Sequence, residues 1–177
     1  GVAPMWENFR GHREFDRFTD QEISFIVDRD SFYMATTSET GWPYLQHRGG
    51  AKGFLKVFDD QTLAFADYRG NFQYISVGNL SANDKACLFL MDYTRRARLK
   101  IYVHAETVPL DADPALTTTV LEGATGKAER IVRLRLQNFD WNCPQHIVPR
   151  YTQEEVETGL RPMRARLAEL EAENVTL

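Results

Sequence analysis

The residues best suited to chemistry in this sequence stand together in Asp67-Tyr-Arg-Gly-Asn-Phe-Gln73, directly after the apolar run Thr62-Leu-Ala-Phe-Ala66. A strand that turns into a helix presents unpaired N–H groups and a partial positive charge at the helix start, which suits an anion. Arg69 adds a planar fork that matches phosphate oxygens. Gly70 frees the backbone to turn or to approach a ligand closely. Asn71 can cap the helix by accepting from its first amides, and Gln73 brings a further donor. The pattern reads as a strand–loop–helix cradle for a phosphate. The same residues also spell an ordinary turn into a capped helix, so the surrounding elements must decide between the two.

Those elements are mostly short strands. Ser31–Ser38 and Pro43–Arg48 flank the turn Glu39-Thr-Gly-Trp42, and a glycine-rich connection, Gly49-Gly-Ala-Lys-Gly53, leads to strands over Phe54–Phe58 and Thr62–Ala66. After the cradle helix come strands over Lys85–Tyr93 and Arg98–Glu106, then a short helix opened by Asp111-Ala-Asp-Pro114. Glu129–Asn138 alternates, with Val132, Leu134 and Leu136 on one side and Arg133, Arg135 and Gln137 on the other. Two capping boxes open helices: Thr19 with Glu22, and Thr152 with Glu155. Ile23, Ile26 and Val27 should form the buried face of the first. The last helix carries Val156, Leu160, Met163, Leu167 and Leu170 at alternating spacings of four and three, a heptad-like stripe suited to the barrel or to a second copy. Short turns between strands imply an antiparallel sheet, and about seven strands with few helices imply a closed or split barrel.

Length and charge narrow the function. A chain of 177 residues is expected to form one domain, 1–177, with a core over about 20–150 and a C-terminal helix over about 152–173. A net charge of −4 argues against general nucleic-acid binding. No apolar run reaches membrane-spanning length and no secretory signal opens the sequence, so a soluble cytoplasmic protein is expected. Cys87 and Cys143 form no metal-type pair; Cys87 lies in an apolar run, and Cys143 and His146 lack a group to orient them. No metal site is expected, and no catalytic residue is assigned.

The order of Pro43-Tyr-Leu-Gln-His-Arg48, Phe65-Ala-Asp-Tyr-Arg-Gly-Asn71, the strand from Arg98, and Trp141-Asn-Cys-Pro-Gln-His146 resembles the pyridoxamine 5′-phosphate oxidase-like flavoproteins. The similarity is to the related FMN-binding branch rather than the vitamin B6 oxidase. It implies a mainly β (α+β) fold: an antiparallel split β-barrel with flanking helices, forming a homodimer with FMN at the subunit interface. Gln46, His47 and Arg48 would lie along the flavin, with Ala66 and Asp67 continuing the wall. Arg69, Asn71 and Gln73 would hold the phosphate. Arg98 would give a polar contact from the neighbouring strand, and Trp141 with Gln145 would reach the ring. Arg48 or Lys52 would stabilise negative charge on a reduced flavin, and the amides around His47 to Gly50 would serve its N5. The Ser-Arg-Lys phosphate clamp of the oxidase is replaced by Gly70-Asn71-Phe72, so phosphate affinity would rest on Arg69, Arg48 and amides; its Arg-Leu-His substrate signature is absent, which argues against a B6-phosphate substrate. The implied activity is oxidoreduction of a small molecule. The alternatives are F420 or haem in the same fold, or a flavin-binding sensor without turnover, which the long terminal helix would favour.

Overall fold

The computed structural model describes residues 15–70, 74–124, 126–141 and 145–175. The elements run α1 (Asp20–Val27), β1 (Ser31–Thr37), β2 (Pro43–Gly49), β3 (Lys56–Val57), β4 (Thr62–Tyr68), α2 (Ile75–Ala82), β5 (Lys85–Asp92), β6 (Ala97–Pro109), α3 (Pro114–Leu121), β7 (Ala128–Trp141) and α4 (Gln153–Val175). The seven strands form one antiparallel sheet in the order β2-β1-β5-β6-β7-β4-β3. It is not closed by backbone hydrogen bonds: β2 ends one side and β3 the other. Two compact units are present, Gly1–Met91 with Arg98–Asn142, and Asp92–Ala97 with Cys143–Leu177.

Within the first unit the inward positions alternate as the pleat requires. Phe32, Met34, Leu88, Leu90, Leu99, Ile101 and Leu134 are buried to 2% exposure or less. In β4 the burial is continuous from Leu63 to Asp67, because both faces of this strand are covered. Phe65 meets Phe32 edge-on at 5.3 Å on one face. On the other, Ala64 and Ala66 pack with Leu116 and Val120 of α3 and with Val108 and Ile131. Helix α3 starts as its sequence demands, with Asp113 accepting from Leu116 N at 3.0 Å and Pro114 at the first turn. Gly50 lies so close to Phe54 that a Cβ there would come within 2.8 Å of the ring, and Phe54 in turn stacks on Phe32.

Several expected boundaries move. The strand expected over Phe54–Phe58 contracts to Lys56–Val57. The cradle helix begins at Ile75, with Tyr74 rather than Asn71 in the N-cap position. Helix α1 buries Glu22, Phe25 and Ile26, while Val27 is exposed and Ile23 is half-buried. Its face is chosen by Trp141, whose Nε1 donates to Glu22 Oε1 at 2.6 Å and whose ring meets Phe25 edge-on at 4.9 Å. The other oxygen of Glu22 accepts from Thr19 N and Oγ1, the expected capping pair. One buried carboxylate thereby starts α1 and fastens it to the end of β7.

The second unit is held by Thr94, which donates to Arg150 O at 3.0 Å and Glu155 Oε1 at 3.1 Å, and by Arg150 over the Tyr93 ring. The Thr152–Glu155 capping box forms as expected. Along α4, Val156, Leu160, Met163, Leu167 and Leu170 are all exposed. No helix among the described residues is long and apolar enough to cross a membrane.

Replacing Glu22 by Leu leaves the indole N–H and the α1 start without their acceptor. A loss of about 2–4 kcal/mol is expected, since each orphaned buried donor costs about 1–3 kcal/mol. Urea denaturation of the variant against the parent measures it; a change within experimental error would refute this role.

Candidate functional site

The open gap between β2 and β4 is bridged by side chains. On β2 the positions alternate, with Tyr44, Gln46 and Arg48 half-buried and Leu45, His47 and Gly49 exposed. On β4, Leu63, Phe65 and Asp67 share the face turned toward β2, which is opposite to that of Ala66. Arg48 Nη1 meets Asp67 Oδ1 at 2.6 Å, with the side chains 16% and 6% exposed. The Arg48 guanidinium also lies 5.5 Å from the Phe65 ring centre. Its Nε is buried and has no hydrogen-bond partner among the described residues.

Helix α2 completes the enclosure. Ser76 Oγ donates to Gln46 Oε1 at 2.8 Å, fixing the helix start to β2. One turn on, Asn79 Nδ2 donates to Thr36 Oγ1 at 2.9 Å, fixing it to β1; both residues are buried. The resulting cavity has a volume of about 320 Å³. Its walls are Tyr44, Gln46 and Arg48 from β2, Asp67 and Tyr68 from β4, Gly70, and Tyr74 to Val77 at the start of α2. Among the described residues no side chain caps α2, and Tyr74 ahead of it has left-handed backbone angles, φ 48° and ψ 26°. The helix start, with its positive dipole end, therefore borders the cavity.

A β-bulge adds a second set of charges. Asp67 pairs with Arg130 but Tyr68 pairs with Ala128, so Glu129 is the extra residue on β7. Glu129 and Arg130 consequently meet the same neighbour, although consecutive strand residues normally diverge. Tyr74 Oη donates to Glu129 Oε2 at 2.8 Å, and the Arg130 guanidinium lies 4.9 Å from the Tyr74 ring centre. Arg130 Nη2 donates to Glu129 Oε2 at 3.1 Å, while its Nε is 3.5 Å from Asp67 Oδ2. Arg69 Nε is 3.8 Å from Glu129 Oε1. The hydrogen bond to Glu129 holds the Tyr74 phenol above its ordinary pKa, with burial adding to the shift. Arg48, Asp67, Arg130, Glu129 and Arg69 thus form one chain of alternating charge, three positive and two negative.

The structure therefore brings together Gln46, Arg48 and Asp67, with Arg69 beside the cavity-lining Gly70. Asn71 and Gln73 lie outside the described residues. Gly70 has no left-handed backbone, and an added Cβ would meet only Tyr68 O at 4.0 Å; its conformational freedom is not what shapes the turn. Ala66 faces α3. His47 and Arg98 belong to a separate row on the outer face: His47 pairs across to Tyr33, Tyr33 to Phe89, and the Arg98 guanidinium lies over Phe89 at 5.4 Å. Trp141 is occupied with α1, and Gln145 is an exposed residue of the second unit. Lys52 Nζ is exposed, 3.5 Å from Asp28, and Gly50 N–H donates to Asp30 O. The chemistry-bearing residues missed in the sequence are Tyr74, Ser76, Glu129 and Arg130. Only Ser76 had a readable signal, as a small hydroxyl in the first turn of a helix next to an expected anion.

A larger open cleft of about 950 Å³ lies along β6, β7 and α3. Its polar side chains are largely spent on each other, Arg133 on Glu106 at 2.7 Å and His104 on Asp84 at 2.8 Å. The smaller cavity has the stronger claim, because it holds a buried unsatisfied donor and a helix start. No group of three or more metal-ligating side chains occurs among the described residues.

Comparison with known proteins places the chain by family and by fold. The family model for pyridoxamine 5′-phosphate oxidase matches residues 18–135. No curated protein sequence matches the chain. Solved structures with the same fold include HupZ of Group A Streptococcus, with 16% identity and a TM-score of 0.57, covering 76% of this chain and 100% of that one. A candidate pyridoxamine 5′-phosphate oxidase of Lactobacillus delbrueckii has 16% identity and a TM-score of 0.57, covering 72% and 97%. An FMN-binding protein of Syntrophomonas wolfei has 14% identity and a TM-score of 0.50, covering 80% and 95%.

Asp67→Ala should cost about 3 kcal/mol of stability, because it leaves the Arg48 charge buried and uncompensated. Arg48→Met with Asp67→Leu should recover most of that loss, since an apolar pair of similar volume replaces the ions. Chemical denaturation of the three proteins checks both statements; equal stabilities would show that the pair is not a structural bridge.

Proposed function

Because the chain belongs to the pyridoxamine 5′-phosphate oxidase family, we propose that it is an FMN-binding oxidoreductase that passes electrons between a reductant and a small molecule. The observation that carries this reading is the buried Arg48 Nε, an unsatisfied donor in the wall of a cavity bounded by the start of α2. A polar atom left unpaired inside a protein is costly; a ligand with acceptor atoms relieves it. The residues present fit a flavin phosphate ester. Arg69 and the first amides of α2 supply anion donors, Gln46 and Arg48 supply polar contacts along β2, and Tyr44 and Tyr68 give the walls aromatic surface.

When bound, FMN supplies the two-electron chemistry itself. The chain's part is to hold and orient it and to set the local charge. Arg48, fixed by Asp67, keeps a positive charge at a constant place and favours added negative charge nearby. Ser76 holds Gln46 in one rotamer. A cavity of about 320 Å³ is at the small end of the range for ligand sites, about 300–1,000 Å³, so the cofactor extends beyond it. We assign the remaining wall to a second copy, which makes the protein a homodimer. The outer row His47, Tyr33, Phe89 and Arg98 is the surface this chain offers in return. The absence of the oxidase's Arg-Leu-His signature favours a substrate other than a B6 phosphate.

The test is the absorption spectrum of the purified full-length protein, with mass analysis of what denaturation releases. Flavin bands and released FMN, or FMN uptake by a colourless preparation, are the expected results. Arg69→Ala should weaken FMN binding at least tenfold while riboflavin binding is nearly unchanged. A colourless protein that takes up no FMN would overturn the assignment.

A further inference from the structure

We propose that Glu129 is a resident counter-ion of the anion site, and that a phosphoryl group binds by taking over the donors this carboxylate now holds. The inference rests on the reading of the cavity as a phosphate-ester site. Three donors from three segments converge on this one carboxylate: Tyr74 Oη at 2.8 Å, Arg130 Nη2 at 3.1 Å and Arg69 Nε at 3.8 Å. Two are cationic and the third belongs to the residue immediately ahead of α2. This is the donor set expected around a phosphate at a helix start, yet it surrounds an anion of the chain's own.

The bulge explains how Glu129 comes to be there. In unbroken pairing with β4, Glu129 and Arg130 would point to opposite faces. The extra residue opposite Asp67 and Tyr68 lets both reach Tyr74. Arg130 is held from its other side by Asp67 Oδ2 at 3.5 Å, so it keeps its place when Glu129 lets go. Glu129 is thus the replaceable member of the charge chain, and Arg48, Asp67 and Arg130 are the fixed ones. With Glu129 in place the five charged groups sum to +1, which keeps three arginines close together without a ligand. Once a phosphoryl dianion arrives, the carboxylate competes with it for the same donors and repels it.

The consequence is opposite to that of removing an ordinary binding residue: neutralising Glu129 should strengthen binding. In Glu129→Gln the amide oxygen still accepts from Tyr74, so the loop keeps its anchor while the negative charge is lost. FMN and riboflavin are titrated into flavin-free full-length protein, followed by quenching of flavin fluorescence. Glu129→Gln should bind FMN about fivefold more tightly, a change of about 1 kcal/mol, with riboflavin unaffected because it has no phosphate. In parallel, thermal melts are recorded with and without inorganic phosphate, whose stabilising effect should be larger in the variant. Glu129→Ala, also melted without ligand, separates loss of the Tyr74 anchor from loss of charge. If FMN binds both proteins equally or binds the variant more weakly, the counter-ion role is refuted and the flavin reading stands. If neither protein binds FMN but phosphate stabilises the variant more, the flavin reading fails and the counter-ion role stands. If phosphate distinguishes nothing and FMN does not bind, both fail.

Discussion

A single charged contact across the gap in the sheet organises the first unit. Backbone hydrogen bonds join seven strands but leave β2 and β4 unjoined. Arg48 and Asp67 supply the connection, at 2.6 Å and nearly out of solvent. An ion pair is a costly way to close a barrel, because removing both charges from water offsets most of their attraction. An apolar pair would hold the strands about as well. What an apolar pair could not do is leave a guanidinium aimed along a cavity wall with one N–H unspent. The stability argument and the site argument therefore meet on the same residue.

The rest of the site follows from that gap. With β2 free of a β4 partner, its half-buried face is available to α2, and Gln46 takes Ser76 at the helix start. The Asn79–Thr36 bond sets the helix one turn further along, on the neighbouring strand. Two polar contacts on two strands fix both position and direction, so the first amides of α2 open toward the cavity. The bulge in β7 then brings Arg130 and Glu129 to Tyr74 at the same end. Strand, helix and bulge each deliver a polar group that regular alternation or an isolated helix would have left elsewhere.

The positions of most strands along the chain, the two capping boxes and the strand-like run Thr62–Ala66 were legible in the sequence because they depend on local pattern. So were the family and the cluster Gln46, Arg48, Asp67. What failed to show depends on long-range choices. The face of α1 is set by Trp141, more than a hundred residues away, whose indole selects Glu22 and Phe25 over Ile23 and Val27. The N-cap lies at Tyr74 rather than at the expected Asn71 because capping propensity competes with tertiary anchors, and Ser76 on Gln46 is one such anchor. The alternation of Val132, Leu134 and Leu136 held, yet the one-residue slip just before it put Glu129 and Arg130 in reach of the same tyrosine. A period-two pattern carries no trace of such a slip until the partner strand is known. His47 and Arg98, which the resemblance grouped with Arg48, lie on the other face of the pleat.

The charge chain also bears on the departure from the family's basic clamp. Gly70-Asn71-Phe72 carries no cation, so the loop itself cannot balance a phosphate beyond what Arg69 offers. Under the proposed assignment the balance comes also from β7, where Arg130 is kept in place by Asp67, the same carboxylate that fixes Arg48. Asp67 thus couples the two ends of the cavity: it orients one arginine along β2 and another beside α2, while its own charge keeps the pair from repelling. Under the proposed assignment, part of the binding energy for the phosphate comes from a strand residue braced by Asp67 and adds to what Arg69 on the turn supplies. Such a donor loses less conformational freedom on binding than an exposed lysine or arginine would. The cost appears at Glu129, whose charge stabilises the ligand-free arrangement and opposes the loaded one, so that affinity is set by competition between an internal and an external anion.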